Sequence, residues 1–166
     1  NGVEMYDVYT GFKWIANVMR ENEGKKNYIG GGEESYGFLC EDFVRDKDAV
    51  SACVILAEIA AWAKDQGLSL YQLLQKIYVE YGFSKEKGIS VVKKGKSGAE
   101  EIEAMMKKFG ENPLTEIAGS KVTYFYDYST LKGKDYAENE TVTLDMPTTS
   151  NVLQYFTEDN TKVSIR

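Results

Sequence analysis

Residues 46–67 read DKDAVSACVILAEIAAWAKDQG and give the clearest secondary-structure signal in the chain. Apolar side chains recur at helical spacing between Ala49 and Ala63, which predicts one long helix. Asp46 is placed to cap the start of this helix, and Gly67 is placed to end it. Because apolar residues occupy nearly every face, we expect the helix to be buried on more than one side, against a sheet and other helices.

Two more helices and a short strand are predicted around this element. A helix over about residues 11–20 follows Thr10, which is a candidate N-cap. A Ser-x-x-Gln capping box opens another helix over residues 69–81. Between the first helix and the long one, the apolar pair at residues 28–29 predicts a short strand. The first half of the chain is therefore predicted to contain three helices and a short strand.

The second half of the chain differs in character and begins after Gly82. The charged, glycine-flanked segment 83–88 is typical of a linker. Strand signals and one amphipathic helix around residues 102–109 follow, and this order argues for a small α+β domain. The predicted strands are residues 89–92, 122–128, 151–157 and 161–166, and the last two form a hairpin around Asp159-Asn160.

Composition restricts the function of this chain of 166 residues. The net charge of −6 argues against a nucleic-acid partner, so an anionic ligand needs a local cluster of cations. The absence of histidine excludes His-based catalytic triads and His-containing zinc sites. No apolar run reaches the ~20 residues that span a bilayer, so no membrane partner is expected. Cys40 and Cys53 lack metal-like spacing and are expected to be reduced, buried thiols of a cytoplasmic protein.

A glycine-rich loop is the most informative feature for function, and its residues 31–37 read GGEESYG. Glycines allow tight backbone geometry and close approach of a ligand. The loop also carries the carboxylate of Glu33 and the hydroxyl of Ser35. An ionised carboxylate accepts hydrogen bonds with two oxygens, which suits neighbouring hydroxyl groups of a sugar. The same spacing is equally typical of a solvated turn, so both interpretations stay open at this point.

Cations lie where the long helix begins. Arg45 and Lys47 flank Asp46 and form either a surface ion-pair cluster or a phosphate site aided by the helix N-terminus. Asp46 and Asp48 supply too few oxygen ligands for magnesium or calcium. No metal site is therefore predicted in this chain.

The start of the first helix has the same two interpretations. Lys13 follows Thr10-Gly11 at this helix entry. The arrangement is either a plain cap with an exposed lysine or a second anion-binding position.

Taken in order, these motifs resemble those of the α-D-phosphohexomutases, the superfamily of phosphoglucomutases and phosphomannomutases. The resemblance rests on four motifs that together span nearly the whole chain. The Phe-Lys-Trp-Ile variant is similar to the branch that holds bacterial phosphoglucomutases and phosphopentomutase-like enzymes. The motifs are TGFKWI at 10–15, GEESYG at 32–37, RDKD at 45–48, and NVLQ at 151–154 followed by KVSIR at 162–166.

The resemblance implies a four-domain enzyme of which this chain is a part. Residues 1–84 would be the C-terminal part of the sugar-binding third domain, which is a partial three-layer α/β domain. Residues 85–166 would be a small TBP-like α+β fourth domain, truncated at the start of its phosphate-binding loop. The phosphoserine loop and the magnesium-binding loop would lie in domains 1 and 2, outside this sequence. Both ends of the chain look cut, and the chain alone is expected to be inactive.

The resemblance also implies roles for individual residues. Glu33 and Ser35 would hold the sugar hydroxyls, and Lys47 would contact the substrate near the reacting groups. Arg166 would begin the phosphate-binding loop. The other residues expected to bind the sugar phosphate are Thr10, Gly11, Lys13 and Arg45.

The implied activity is the reversible transfer of phosphate between the 1- and 6-positions of a hexose phosphate, either glucose or mannose. It would pass through a phosphoserine enzyme and a bisphosphorylated sugar of the glucose 1,6-bisphosphate type. Magnesium would be the cofactor, and the partners would be the hexose phosphate and the missing domains 1 and 2.

Two alternatives stay open. Tyr36 separates Ser35 from Gly37, where many members have glycine directly after the serine. The preferred sugar is therefore undecided, and phosphopentomutase-like specificity is one alternative. The other is a non-catalytic sugar-phosphate-binding or regulatory module that keeps the Glu33 loop.

Overall fold

The computed structural model describes residues 2–34 and 36–166, which form two compact units divided between Lys87 and Gly88. Helices and sheet occur in both units, which confirms a mixed α/β chain. Within the described residues, none of the helices has the length and apolar character needed to cross a membrane. The assignment of residues 1–84 and 85–166 to the third and fourth domains of a mutase stays a prediction.

The first unit packs a helix against a small β-hairpin. The helix contributes Phe12 and Met19 to a hydrophobic core, and the hairpin contributes Leu39, which is completely buried. The strands pair antiparallel, with Gly31 opposite Leu39. This core fixes the hairpin against the helix. In chain order the elements are α1 (Phe12–Asn22), β1 (Gly31–Gly32), β2 (Phe38–Leu39), α2 (Ala49–Asp65) and α3 (Leu70–Tyr81).

Two helix starts differ from the sequence prediction. Thr10 does not cap α1, because the N-cap is Gly11, whose φ of 118° is readily adopted only by glycine. Asp48, and not Asp46, caps α2, because its carboxylate accepts hydrogen bonds of 3.0 and 3.3 Å from two N–H groups of the first turn. Asp46 instead accepts a hydrogen bond from the Lys47 ammonium.

The connection from α2 to α3 follows the local sequence. Gly67 has a positive φ of 71° just after α2, as expected for a glycine that ends a helix. Ser69 and Gln72 form the predicted capping box at the start of α3. The strand predicted at residues 28–29 is wrong, since the hairpin begins only at Gly31.

Helix α2 is far more exposed than its composition predicts. Of the α2 residues, Ala63 is buried, whereas Val50 and Trp62 are 74% and 55% exposed. Cys53 is also exposed and Cys40 is half-buried, so the prediction of two buried thiols is wrong. The physical reason is that the two-residue strands of this unit are too short to cover a 17-residue helix.

The second unit packs one helix on an antiparallel sheet. Its core joins Met106 of the helix to Phe125 and Tyr155 of the central strands. The Tyr155 hydroxyl donates a 2.9 Å hydrogen bond to the carbonyl of Phe109, which ties the sheet to the helix end. The elements are α4 (Gly95–Glu111), β3 (Glu116–Ile117), β4 (Ser120–Asp127), β5 (Lys132–Asp135), β6 (Glu140–Thr143), β7 (Leu153–Thr157) and β8 (Lys162–Ile165). The strand order is β6-β5-β4-β7-β8, and β3 pairs with β4.

Strand predictions in this unit are partly confirmed. The hairpin of β7 and β8 turns at Asn160, whose φ is 63°, as predicted. The strand predicted at residues 89–92 is wrong, because this segment is irregular and Ile89 is 78% exposed. Strands β5 and β6 were not predicted, because their sequences are polar and they exist through pairing with β4 and with each other.

Gly133 of β5 lies directly beneath the ring of Tyr126 on β4. The two residues pair across the strands, and a Cβ on Gly133 would lie 2.6 Å from the Tyr126 Cδ1 and 3.0 Å from the Phe125 carbonyl oxygen. Real Cβ atoms do not approach other atoms this closely. The sheet therefore requires glycine at this position.

We expect Gly133→Ala to destabilise the second unit by about 1–3 kcal/mol, because the added methyl group overpacks the sheet. Gly88→Ala is the matched control, since its Cβ would meet nothing within 4 Å. Urea denaturation followed by circular dichroism measures the effect. Trp14 and Trp62 both lie in the first unit, so their fluorescence should not change. Equal stability of the two variants would contradict the packing described.

Candidate functional site

Glu33 connects the glycine-rich loop to the start of α1. Its Oε1 accepts a 2.9 Å hydrogen bond from the backbone N–H of Gly11, 22 residues earlier in the chain. Gly11 is the N-cap of α1, where free N–H groups and the helix dipole favour a negative charge. The two motifs at residues 10–15 and 32–37 therefore meet at this bond.

Two glycines make room for this arrangement. A Cβ on Gly37 would lie 2.6 Å from the Oε2 of Glu33, so only glycine leaves the carboxylate in place. A Cβ on Gly31 would lie 2.8 Å from the Tyr28 hydroxyl and 2.9 Å from Ile15. The loop is closed by the Glu33 N–H, which donates a 2.8 Å hydrogen bond to the Gly37 carbonyl. Close approach thus explains both glycines.

Tyr36 adopts an unusual conformation at the tip of the hairpin. Residues 34–36 connect Glu33 to Gly37, and the last position of a three-residue hairpin connection commonly takes left-handed backbone and favours glycine. Tyr36 fills it with φ 53°, and its side chain is fully exposed, at 108% of the reference area. The left-handed conformation costs a non-glycine residue about 1–2 kcal/mol. Ser35 lies outside the described residues, so its sugar contact stays a prediction.

Lys47 brings a positive charge to the same region. Its ammonium donates a 2.9 Å hydrogen bond to Asp46 and lies 5.7 Å from the centre of the Phe12 ring, next to Gly11. The hydrogen bond with Asp46 raises the pKa of Lys47, and the negative charges of Asp46 and, more weakly, Glu33 act in the same direction. The lysine is therefore protonated at neutral pH. Gly11, Glu33 and Lys47 together form the candidate site.

A shallow cationic depression lies along the exposed face of α1. It has a volume of about 220 Å³, and its cations are Lys13, Arg20 and Arg45. Arg45 is paired with Glu23 at 3.1 Å. Arg20 was not predicted, although it follows Lys13 by two helical turns and therefore lies on the same face. The depression supports Lys13 and Arg45 as candidates for binding an anion.

Two other predicted site residues are exposed. Thr10 lies just before the N-cap of α1, and Arg166 lies directly after β8 in the second unit. Across residues 2–34 and 36–166, no three His, Cys, Asp or Glu side chains are grouped so that they could hold a metal ion. The described donor set therefore does not fit a magnesium site.

The first unit is similar to a known protein family. Residues 1–81 match the family model described as phosphoglucomutase/phosphomannomutase, alpha/beta/alpha domain III. No solved structure matches the chain.

Phosphoglucomutases of staphylococci are similar to nearly the whole chain. The phosphoglucomutase of Staphylococcus haemolyticus (strain JCSC1435) is 38% identical over 139 residues, which is 84% of this chain and 25% of that protein. The phosphoglucomutase of Staphylococcus aureus (strain bovine RF122 / ET3-1) is 40% identical over 152 residues, or 92% of this chain and 26% of that protein. The phosphoglucomutase of Staphylococcus aureus (strain MRSA252) is 39% identical over 154 residues, which is 93% of this chain and 28% of that protein. The chain thus spans about a quarter of the length of these relatives.

We expect Gly37→Ala to weaken the bond between the Glu33 carboxylate and Gly11, because the new methyl group displaces Oε2. A hydrogen bond to a charged group contributes about 1.5–3 kcal/mol, so the Gly11 amide should exchange with solvent at least about tenfold faster. Hydrogen exchange followed by NMR measures this rate.

Gly30→Ala is the control for this variant. Its Cβ would lie at an ordinary distance of 3.5 Å from the Leu39 carbonyl oxygen, so exchange at Gly11 should not change. An unchanged Gly11 rate in Gly37→Ala would show that the carboxylate is not held in this way.

Proposed function

The chain belongs to the phosphoglucomutase and phosphomannomutase family, and on that premise we propose the following function. The protein that contains it reversibly transfers phosphate between the 1- and 6-positions of a hexose phosphate. The reaction passes through a phosphoserine enzyme and a bisphosphorylated sugar. This chain supplies the loop that binds the sugar.

The observation that carries this proposal is the fixed carboxylate of Glu33. Its bond to Gly11 orients the group before any ligand arrives, so little side-chain entropy is lost on binding. A carboxylate accepts hydrogen bonds from two adjacent hydroxyls and donates none, which matches the edge of a sugar ring. Hydroxyls at neighbouring ring carbons present a similar pattern when the sugar is turned end to end. One carboxylate can therefore serve both orientations of the bisphosphorylated intermediate.

The cations around this loop compensate the negative charge of the phosphate groups. Lys47 is protonated and lies within the electrostatic influence of Glu33, so we place it near the reacting end of the sugar phosphate. Lys13 and Arg45 line the cationic depression on α1, and we assign them to a phosphate group. Thr10 and Ser35 are proposed to contact the sugar phosphate and sugar respectively, and Arg166 is proposed to bind phosphate.

Phosphoryl transfer depends chiefly on positioning and charge stabilisation, and this chain contributes positioning. We propose that the nucleophilic serine and the magnesium ligands belong to parts of the enzyme outside this chain. The described residues include no group of three His, Cys, Asp or Glu side chains that could hold a metal ion, so we assign magnesium binding to those other parts. Their role is to hold the sugar and orient its phosphate groups.

The exposed apolar faces of α2 and α3 support a larger protein as the partner of this chain. Val50, Leu56 and Trp62 of α2 are each more than half exposed, and α3 adds Tyr71 and Val79. The family model describes an alpha/beta/alpha domain, whereas the described part of this unit has only two-residue strands. We propose that a sheet from the same enzyme covers these faces and completes a three-layer domain. The second unit is proposed to be the TBP-like fourth domain, and the cytoplasm is the proposed location.

In the full-length protein, we expect Glu33→Ala to lower kcat/KM for glucose 1-phosphate by about 10²-fold or more. The substitution removes the two hydrogen bonds that the sugar hydroxyls are proposed to donate to the Glu33 carboxylate. Each hydrogen bond to a charged group contributes about 1.5–3 kcal/mol. A coupled assay that measures glucose 6-phosphate gives the rate.

Glu34→Ala is the matched control, because Glu34 is an exposed neighbour in the same loop. Its activity should stay within about threefold of the unmodified enzyme, as is usual for exposed substitutions. Unchanged activity of Glu33→Ala would favour a plain turn. Mutase activity of the isolated 166-residue chain would overturn the proposal that the nucleophile lies elsewhere.

A further inference from the structure

We infer that Tyr36 binds the substrate, with its phenol ring covering the C–H face of a pyranose held by Glu33. This inference rests on the proposed mutase function and deepens it. It names the sugar class at this site as a six-membered hexose ring and adds a contact that Glu33 does not supply.

Three features of Tyr36 separate it from an ordinary turn residue. Its φ of 53° is strained for a bulky side chain, and burial of the ring does not compensate, since the side chain is fully exposed. Position 36 of the turn favours glycine. Glycine occurs at residues 31, 32 and 37 of the same loop, but position 36 holds tyrosine. Residues held in sparsely populated backbone conformations cluster at active sites and ligand clamps. The exposed ring of Tyr36 is available to contact a ligand.

Four other non-glycine residues of the described chain have a left-handed backbone, and, like Tyr36, each lies in a turn between strands. Two are asparagines, which tolerate this conformation. The four residues are Ala118, Leu131, Asn139 and Asn160. Tyr36 differs from them in being aromatic and in lying in the loop that carries Glu33.

The chemistry of the loop specifies the ligand. Glu33 is fixed by the Gly11 N–H and offers acceptors to hydroxyls on the edge of a sugar ring. The hydrogen bond from Glu33 N–H to the Gly37 carbonyl places Tyr36 one residue from the closure of the same loop. The face of a phenol ring carries negative charge and attracts the weakly positive C–H groups of a pyranose. Polar groups along one edge and an apolar wall on one face are a typical combination in small-ligand sites.

The test uses Tyr36→Gly and Tyr36→Phe in the full-length enzyme, with glucose 1-phosphate as substrate. Tyr36→Gly should raise KM about tenfold, the lower end of what one stacked aromatic ring contributes, while kcat changes less than about threefold. Tyr36→Phe keeps the ring and should keep KM within about twofold. The thermal midpoint of Tyr36→Gly should be unchanged or higher, because the strain is relieved.

Ala118→Gly is the matched control, because it relieves a left-handed residue of φ 51° in the second unit. It should not change KM. An unchanged KM in Tyr36→Gly, or a raised KM together with a lower thermal midpoint, would overturn the inference while the mutase function stands. If the unmodified full-length enzyme does not convert glucose 1-phosphate, the proposed function and this inference both fail.

Discussion

The hydrogen bond between the Glu33 carboxylate and the Gly11 N–H is the contact on which the candidate site depends. It ties the loop of a two-stranded hairpin to the N-cap of α1, and the Phe12, Met19 and Leu39 core holds both elements in place. The loop adapts to the contact, because Gly37 leaves room for the carboxylate oxygens. The N-terminal end of the helix also stabilises the negative charge. A short loop with little secondary structure is thereby held in one arrangement.

The same unit combines a well-fixed loop with poorly covered helices. Around Leu39 the side chains are buried, whereas the α2 and α3 surfaces expose Trp62, Tyr71 and other large apolar groups. Burying such a surface is worth about 25 cal/mol per Å², so covering it would add substantially to stability. The site geometry depends on the local core of α1 and the hairpin. The exposed apolar side chains of α2 and α3 lie in a chain that spans about a quarter of the length of its relatives.

Local signals in the sequence predicted much of this fold. The Ser69 and Gln72 capping box was predictable because its hydrogen bonds join residues three positions apart. Asp46 and Asp48 could not be distinguished by spacing alone, since the cap is the carboxylate that reaches two N–H groups of α2. Residues 89–92, which read ISVV, looked like a strand but pair with no strand among the described residues, whereas polar β5 and β6 became strands through pairing. Glu33 was predicted from the motif order, but its Gly11 partner is a backbone contact over 22 residues that no local pattern indicates.

The most direct test of this account is an NMR titration of the 166-residue chain with glucose 1-phosphate. If the fixed Glu33 carboxylate binds the sugar, the largest amide shifts should occur at Gly11, Tyr36 and Gly37. The Glu33→Gln chain should lose these shifts, and inorganic phosphate should not reproduce them. Shifts that persist in Glu33→Gln, or that inorganic phosphate alone produces at the same residues, would contradict the assignment of this loop to sugar binding.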